Sequence, residues 1–404
     1  MKTTEARNFG TRRFWTDNAS LGLATVAAGI FNTAYSVLLA HALGPAYYGR
    51  IGALNNLVSL FLLPLPIVAL AAIRFGRQAD RQGSLLWGTL GLGAIIFVVV
   101  ALLSPALAIQ FHLPAPLIIL YSASVVWNFG YALYVGYLQR ARRYRVVGAI
   151  LVLASASAVA GVGLAVTLGR AHPLMWLGFW QALAPFGLFA LSRRLARAVP
   201  LLPPGRLRPE VVATTLGVGT LQALWGFTDV LFAKAHLSTV QAGLYTGLST
   251  IGQALPFVVA SLSTVMLTAI LDEPEQRRAY LARTLAATGL LVVLFVGVLV
   301  VFPVPVVRLA LGSAFIPMSH LVERYGAATA AMALVLVLTT YGVAMGHYRT
   351  MAAAAVGTGI WIVALIGAHT MVTLVDRTAA AMGGTLVLVV VVFGLGRELR
   401  QTHE

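Results

Sequence analysis

The chain has no cysteine, and only 12 of its 404 residues are acidic. The first absence excludes disulfides, thiolate metal sites and cysteine nucleophiles. The second, against 28 Lys and Arg, gives a formal net charge of +16 while charged residues make up only 10% of the chain. A soluble domain carries about 25% charged residues, so this chain has too few to cover a water-facing surface. What it has instead is apolar: 59% of its residues are hydrophobic, in runs of about 20 or more that recur throughout. That is the length needed to cross the hydrocarbon of a bilayer as a helix.

Runs separated by short Arg-containing segments predict twelve spans, at 19–43, 51–73, 84–110, 115–138, 146–169, 173–192, 211–233, 240–270, 279–307, 326–346, 351–374 and 378–396. The basic residues test this count, because Lys and Arg are held back in cytoplasmic loops. With the N-terminus inside, 22 of the 28 fall in inside segments, and the outside keeps Arg50, Arg170, Lys234, Arg308, Arg324 and Arg377. A missed or invented helix would scramble that alternation. Both termini are therefore expected in the cytoplasm of a multi-pass cell-membrane protein. The positive charge then implies contact with anionic lipid headgroups, not with nucleic acid. Ala40-His41-Ala42 has the small-x-small form of a signal-peptide cleavage site. The apolar run before it is too long for a signal h-region, so span 1 is read as retained.

An internal repeat organises the spans. Ser36 to Ala42 lies over Asp229 to Ala235 at an offset of 193, and one residue of slippage then aligns Gly49 with Gly243 and 54–56 with 248–250. The repeat divides the chain into an N-terminal lobe at 1–192, an Arg- and Pro-containing cytoplasmic linker at 193–210 and a C-terminal lobe at 211–404. Six helices in each lobe is an even number, so the lobes share an orientation and are expected to flank a central cavity.

Three helix faces are candidates to line it. In span 7, Thr215, Gln222, Asp229 and His236 recur every seven residues, with Trp225 and Gly226 on the same face. Span 1 carries Asn18, Gly22, Thr25, Gly29, Asn32 and Ser36 in a similar stripe. Polar groups facing lipid would go unsatisfied, so these stripes face protein or water. Small residues fit plain helix packing equally well; Asn32, Ser36, Gln222, Trp225 and Asp229 point to the substrate pathway. In span 4, Tyr121, Ser124, Asn128 and Tyr131 share a face. Aromatic rings interleaved with hydroxyls and amides suit sugars, whose C–H faces stack while their hydroxyls bond. Tyr137 also suits the interfacial aromatic belt, whereas Asn128 and Tyr131 lie well inside the span.

Four stretches carry a family resemblance. Leu43-Gly44-Pro45-Ala46-Tyr47-Tyr48-Gly49 resembles the Leu-Gly-Pro-x-x-Tyr-Gly opening of polysaccharide-transporter flippases (Wzx-like) of the multidrug/oligosaccharidyl-lipid/polysaccharide (MOP) exporter superfamily. Residues 136–144 are similar to that family's end of helix 4, 229–245 to its helix 7 to 8 hinge, and 311–315 to its outer loop before helix 10. The resemblance implies a V-shaped, two-lobe bundle, not an enzyme. Its activity would be moving a lipid-linked sugar or oligosaccharide, on a polyprenyl pyrophosphate carrier, to the outer leaflet by alternating access. No cofactor is implied. A pyrophosphate calls for cations, and the spans are poor in Arg here. Arg74 and Lys234 are candidate phosphate or headgroup contacts, with Arg50 and Arg308 near the outer side; snorkelling to headgroups is the competing role for each.

Asp229 raises a separate question. An ionised carboxylate within a span costs roughly 2.5 to 3.5 kcal/mol, so it must be paired, hydrogen-bonded, protonated or bound to a cation. Lys234 is five residues on, turned by about 140°, and is a poor partner on a straight helix. Asp229 could bind H+ or Na+ to drive the return step, or be held by a structural hydrogen bond or a cation of the other lobe. A MATE-like drug or cation antiporter would share the architecture but usually has more acids in its spans. A lipid II flippase would be expected to have further helices and a more cationic cavity. A membrane glycosyl ligase or polymerase would need an outer catalytic segment, and 308–325 is short for one.

Overall fold

A computed structural model describes the backbone of residues 2–75, 82–169, 172–199 and 209–401. Side chains are described from Leu23 to Gly394 within those ranges, save at 73–82, 210, 268, 272 and 274. Among the described residues every regular element is helical, as it must be where no water can satisfy backbone groups. Among the described residues eleven helices are long and apolar enough to cross a membrane. Leu102, Ile109, Leu309 and Trp87 are each more than 70% exposed. Such side chains would drive a soluble protein to aggregate and instead suit contact with acyl chains. The chain is an all-α polytopic membrane protein.

The first of the eleven accounts for the difference from twelve. Helix α1 (Lys2–Phe61) contains an apolar stretch of 39 residues, Leu23–Phe61, about 58 Å long if straight and too long for one crossing. It is interrupted at Gly44, whose φ of 71° and ψ of 178° only glycine adopts without strain; Pro45 then opens the second limb. Predicted spans 1 and 2 are these two limbs, the second continued after a break at 62–64 by α2 (Leu65–Phe75). Predicted span 8 is likewise two helices, α9 (Thr239–Gly252) and α10 (Ala254–Asp272). The cause is shared: Pro66 and Pro256 lack the N–H that would bond the carbonyl four residues back.

The helices α3 (Gln82–Phe111), α4 (Ala115–Arg140), α5 (Tyr144–Thr167) and α6 (Pro173–Arg197) follow the predicted spans 3 to 6. Span 7 is α7 (Pro209–Ala213), a π-helical turn at Thr214–Val218 and α8 (Gly219–His236). Two predicted boundaries need correction. Span 9 ends at Val301, the end of α11 (Arg277–Val301), because Pro303 and Pro305 start a separate short helix, α12 (Pro303–Leu311). Spans 11 and 12 are α14 (Tyr348–Ile366) and α15 (Met371–Gln401), so the turn between them falls at 367–370, inside the predicted span 11. There Thr370 and Thr373 exchange backbone-to-hydroxyl bonds of 3.1 Å, a cap that hydropathy does not register. The predicted span 10 is α13 (Val322–Ala344), preceded by a 3₁₀ segment at Ser313–Leu321. Residues 200–208 of the predicted linker lie outside the described residues.

The residues group into two compact units. The first comprises Met1–Leu39, Phe61–Ile109 and Leu113–Leu207. In it α4 packs against α2 and α6 through small residues: a Cβ on Gly136 would stand 2.6 Å from the Ala72 side chain, and one on Gly130 2.7 Å from the ring of Phe189. Leu138, Val147, Ile150, Ala196 and Val199 form its described core, with Tyr131 and Tyr134 against it.

The second unit comprises Ala40–Leu60, Gln110–His112 and Arg208–Glu404. Its central helix is α13, whose span is 83% buried over its most apolar stretch. Leu255, Val259, Met266, Ile270 and Leu281 pack in one cluster with its Ala333 and Val337. Within the same unit, the Gly44 corner and the limb after it lie on α9. Gly49 comes so close to Gly243 that a Cβ on it would stand 2.7 Å from the Gly243 Cα. Tyr48 Oη lies 2.8 Å from Thr250 Oγ1, and its ring meets Phe315 edge-on at 5.5 Å. The two glycines that the repeat sets as equivalent are therefore packed against each other.

Candidate functional site

Asp229 sits on α8 among apolar neighbours and is 0% exposed. Its Oδ1 accepts the backbone N–H of Val230 at 2.8 Å. Its Oδ2 accepts two phenol hydroxyls, from Tyr325 at 2.5 Å and Tyr245 at 3.1 Å. The two rings meet edge-on with centroids 5.9 Å apart, and Ser249 Oγ lies 3.1 Å from the Tyr325 hydroxyl. The carboxylate is thus held by donors from α8, α9 and α13. Hydrogen bonds to a charged group contribute roughly 1.5 to 3 kcal/mol each, enough in combination to offset the roughly 2.5 to 3.5 kcal/mol cost of a charge in a span. Lys234 has no part in this arrangement. Among the described residues the one ion pair is Arg324 with Asp376, 3.1 Å apart and half-exposed on both sides.

A second group of hydrogen bonds in the same unit joins neutral groups. Gln253, at the break between α9 and α10, donates from Nε2 to the Trp225 carbonyl at 2.9 Å. The Trp225 indole N–H donates to Thr358 Oγ1 at 2.9 Å, on α14. Separately, Thr378 Oγ1 of α15 takes the Trp361 indole N–H at 3.2 Å. The break at Gln253 makes one link possible, because a side chain at a helix end can reach a backbone carbonyl on a neighbour. The π-helical turn before α8 is a feature often found at functional sites.

The residues singled out from sequence fall in different places. Asp229 is the centre of the tyrosine-capped cluster and Trp225 belongs to the separate Gln253–Thr358 group, both inside the second unit, and Gln222, one turn before Trp225, is half-buried there. Lys234, in the last turn of α8, is 1% exposed. Asn32 is exposed and Ser36 half-buried on the first limb of α1, in the first unit. Asn128 and Tyr131 are half-buried on α4; the Asn128 amide donates back to the Ser124 carbonyl at 3.0 Å, and Tyr131 leans on the core at the α5–α6 end. The side chain of Arg74 lies outside the described residues. Sequence reasoning missed Tyr245, Tyr325 and Ser249 around Asp229, and Gln253 and Thr358 around Trp225. Gln253 alone carried a signal, as a polar residue three before Pro256 within an apolar run.

No family model and no curated protein matches the chain. Solved structures do. The chain is similar to the lipid II flippase MurJ in an inward closed conformation, with a TM-score of 0.68 and 13% identity over 91% of this chain and 86% of that one. It is similar to an inward-facing multidrug resistance MATE family transporter of the MOP superfamily, with a TM-score of 0.67 and 13% identity over 93% of this chain and 95% of that one. It also matches a MOP superfamily transporter from Pyrococcus furiosus, with a TM-score of 0.61 and 11% identity over 95% of each. At such identities the likeness is one of fold, and the fold is that of MOP superfamily transporters.

Proposed function

We propose that this chain is a MOP-type transporter of the cell membrane. It moves a lipid-linked sugar or oligosaccharide, on a polyprenyl carrier, from the cytoplasmic to the outer leaflet by alternating access, without covalent chemistry. The observation that carries the choice over drug export concerns Asp229. It is the one acid buried within the described spans, and two tyrosine hydroxyls and a backbone N–H cap it. A cationic drug needs an open carboxylate, and among the described residues the spans offer none. The half-buried amide and phenol of Asn128 and Tyr131 on α4 supply the mixed aromatic and polar surface that sugars take. Asn32, Ser36, Gln222 and Trp225 are assigned to the same pathway, with Arg74 and Lys234 toward the carrier phosphates.

Deletion of the gene tests the assignment. A flippase loss leaves lipid-linked units accessible only from the cytoplasmic side, whereas a ligase or polymerase loss accumulates them outside. Normal surface glycan in the deletion strain would refute it. The drug or cation antiporter remains the second reading, favoured by the fold shared with a MATE transporter. Increased susceptibility to cationic drugs, with glycan export intact, would establish it. Coupling to H+ or Na+ is assigned to Asp229, two of whose three donors are hydroxyls that can reverse to become acceptors. Asp229→Asn should abolish the dependence of transport on the ion gradient; unchanged dependence would remove Asp229 from the coupling step.

A further inference from the structure

His236, the last residue of α8, ends the stripe that begins with Thr215 and takes no part in the Asp229 or Trp225 clusters. Its ring meets that of His369, in the turn between α14 and α15, edge-on with centroids 5.7 Å apart. The Phe232 ring, one turn back on α8, stacks on His236 with centroids 6.0 Å apart. Both histidines are exposed, and among the described residues neither imidazole has a hydrogen-bond partner. A single histidine at a helix C-terminus complements the dipole, which explains His236 alone. It does not explain a second imidazole set against it from another element.

Helix register brings the pair together. Trp225 of α8 bonds Thr358 of α14 at 2.9 Å. His236 lies eleven residues after Trp225, and His369 eleven after Thr358. Eleven residues are about three turns, so His236 returns to the face of α8 that carries Trp225. Two contacts at equal spacing mean that α8 and α14 run parallel, side by side, with both C-termini at this end. Helix C-termini carry partial negative charge, which favours a cation. Arg377 already uses one of them, donating to the Ala364 carbonyl at 2.7 Å.

The separation of the rings suits two imidazoles on one metal ion. With metal–nitrogen bonds of about 2.0 to 2.1 Å, each centroid stands about 3.2 Å from the ion, and a tetrahedral angle sets the two about 5.2 Å apart. The observed 5.7 Å exceeds this only slightly, and two exposed side chains have room to close the difference. Neutral imidazole binds Zn2+, Cu2+ and Ni2+, whereas Mg2+ and Ca2+ take oxygen. Among the described residues no third His, Asp or Glu joins the two, so water fills the other positions and the ion exchanges with solvent. Lys234, in the same last turn of α8, and Arg377, whose guanidinium lies against Gly367, are the charges that oppose a dication there and limit its affinity.

We propose that His236 and His369 form an exchangeable site for a divalent transition-metal ion, Zn2+ or Cu2+, which ties the end of α8 to the α14–α15 turn. The site is independent of what the chain transports. The test uses the full chain without a polyhistidine tag, in phosphatidylcholine nanodiscs, with thermal unfolding followed by tryptophan fluorescence. Zn2+ should raise the Tm and Mg2+ should not. His236→Ala and His369→Ala should each shift the Zn2+ response to concentrations about tenfold higher or more. His320→Ala, at an exposed histidine outside the pair, should leave it unchanged. One equivalent of Cu2+ should show, by electron paramagnetic resonance, coupling to two imidazole nitrogens in the wild type and to fewer in either alanine variant of the pair.

No rise in Tm with Zn2+, an equal rise with Mg2+, or an undiminished Zn2+ response in either variant of the pair overturns the proposal and leaves the two rings as an aromatic contact. If an alanine variant does not fold, the Cu2+ spectrum of the wild type decides: two imidazole nitrogens support the site, and one or none refutes it.

Discussion

Replacing Tyr325 with phenylalanine removes one oxygen and nothing else from the centre of the second unit. The ring keeps its burial and its edge-on contact with Tyr245. What is lost is the 2.5 Å bond to Asp229 and the contact with Ser249. A bond to a charged acceptor contributes roughly 1.5 to 3 kcal/mol, so Tyr325→Phe should destabilise by about 2 kcal/mol. For a cooperative unit of about 200 residues that lowers the Tm by about 6 °C. The decisive measurement is a double-mutant cycle with Asp229→Asn, read by tryptophan fluorescence. Opposite a neutral amide the same hydroxyl is worth about 1 kcal/mol, so the two changes should couple by about 1 kcal/mol. Additivity within about 0.3 kcal/mol would show that Tyr325 does not serve the Asp229 carboxylate, and the account of how the span tolerates that charge would fail with it.

Other perturbations probe separate features. A Cβ on Gly243 would collide with the Pro45 carbonyl, a backbone atom that cannot swing aside; Gly243→Ala should cost about 1 to 3 kcal/mol in thermal unfolding. Gly226→Ala, where a Cβ meets nothing within 4 Å, should leave the Tm unchanged or slightly raised. Asn128→Ala should slow flipping in reconstituted vesicles at least tenfold while moving the Tm by under about 2 °C, since the described bond of its side chain is to its own helix. Arg324→Ala should change stability by less than about 0.5 kcal/mol, because its ion pair with Asp376 is half-exposed.

The boundaries that sequence reached are those written in residues with special backbone needs. Gly44-Pro45 marks the corner between the first two limbs, and the predicted span 1 stops one residue short of it. The turn at 367–370 was illegible because apolar residues flank it without interruption, and its stop depends on a threonine pair acting as a cap. Asp229 stood out because few apolar runs tolerate a carboxylate. Its partners did not, since Tyr245 is 16 residues away and Tyr325 is 96 away. Helical periodicity says which face a residue is on but not which helix lies opposite. The tyrosines also match the composition of an interfacial belt, so nothing local distinguishes a clamp from an anchor.

Charge sign explains why Asp229 and Lys234, five residues apart, have such different surroundings. A buried anion asks for donors, and apolar helices supply them cheaply, because hydroxyls of Tyr, Ser and Thr can enter a span at little cost. Asp229 collects two of them and a backbone N–H from its own helix. A buried cation asks for acceptors, and in a helix the carbonyls are already bonded to N–H groups four residues on. The last carbonyls of a helix and the carboxylates are the remaining supply: Arg377 donates to the Ala364 carbonyl near the end of α14 at 2.7 Å, and the chain has 12 carboxylates against 28 cations. The anion is satisfied within the fold, whereas among the described residues no acid pairs with Lys234 in the last turn of α8.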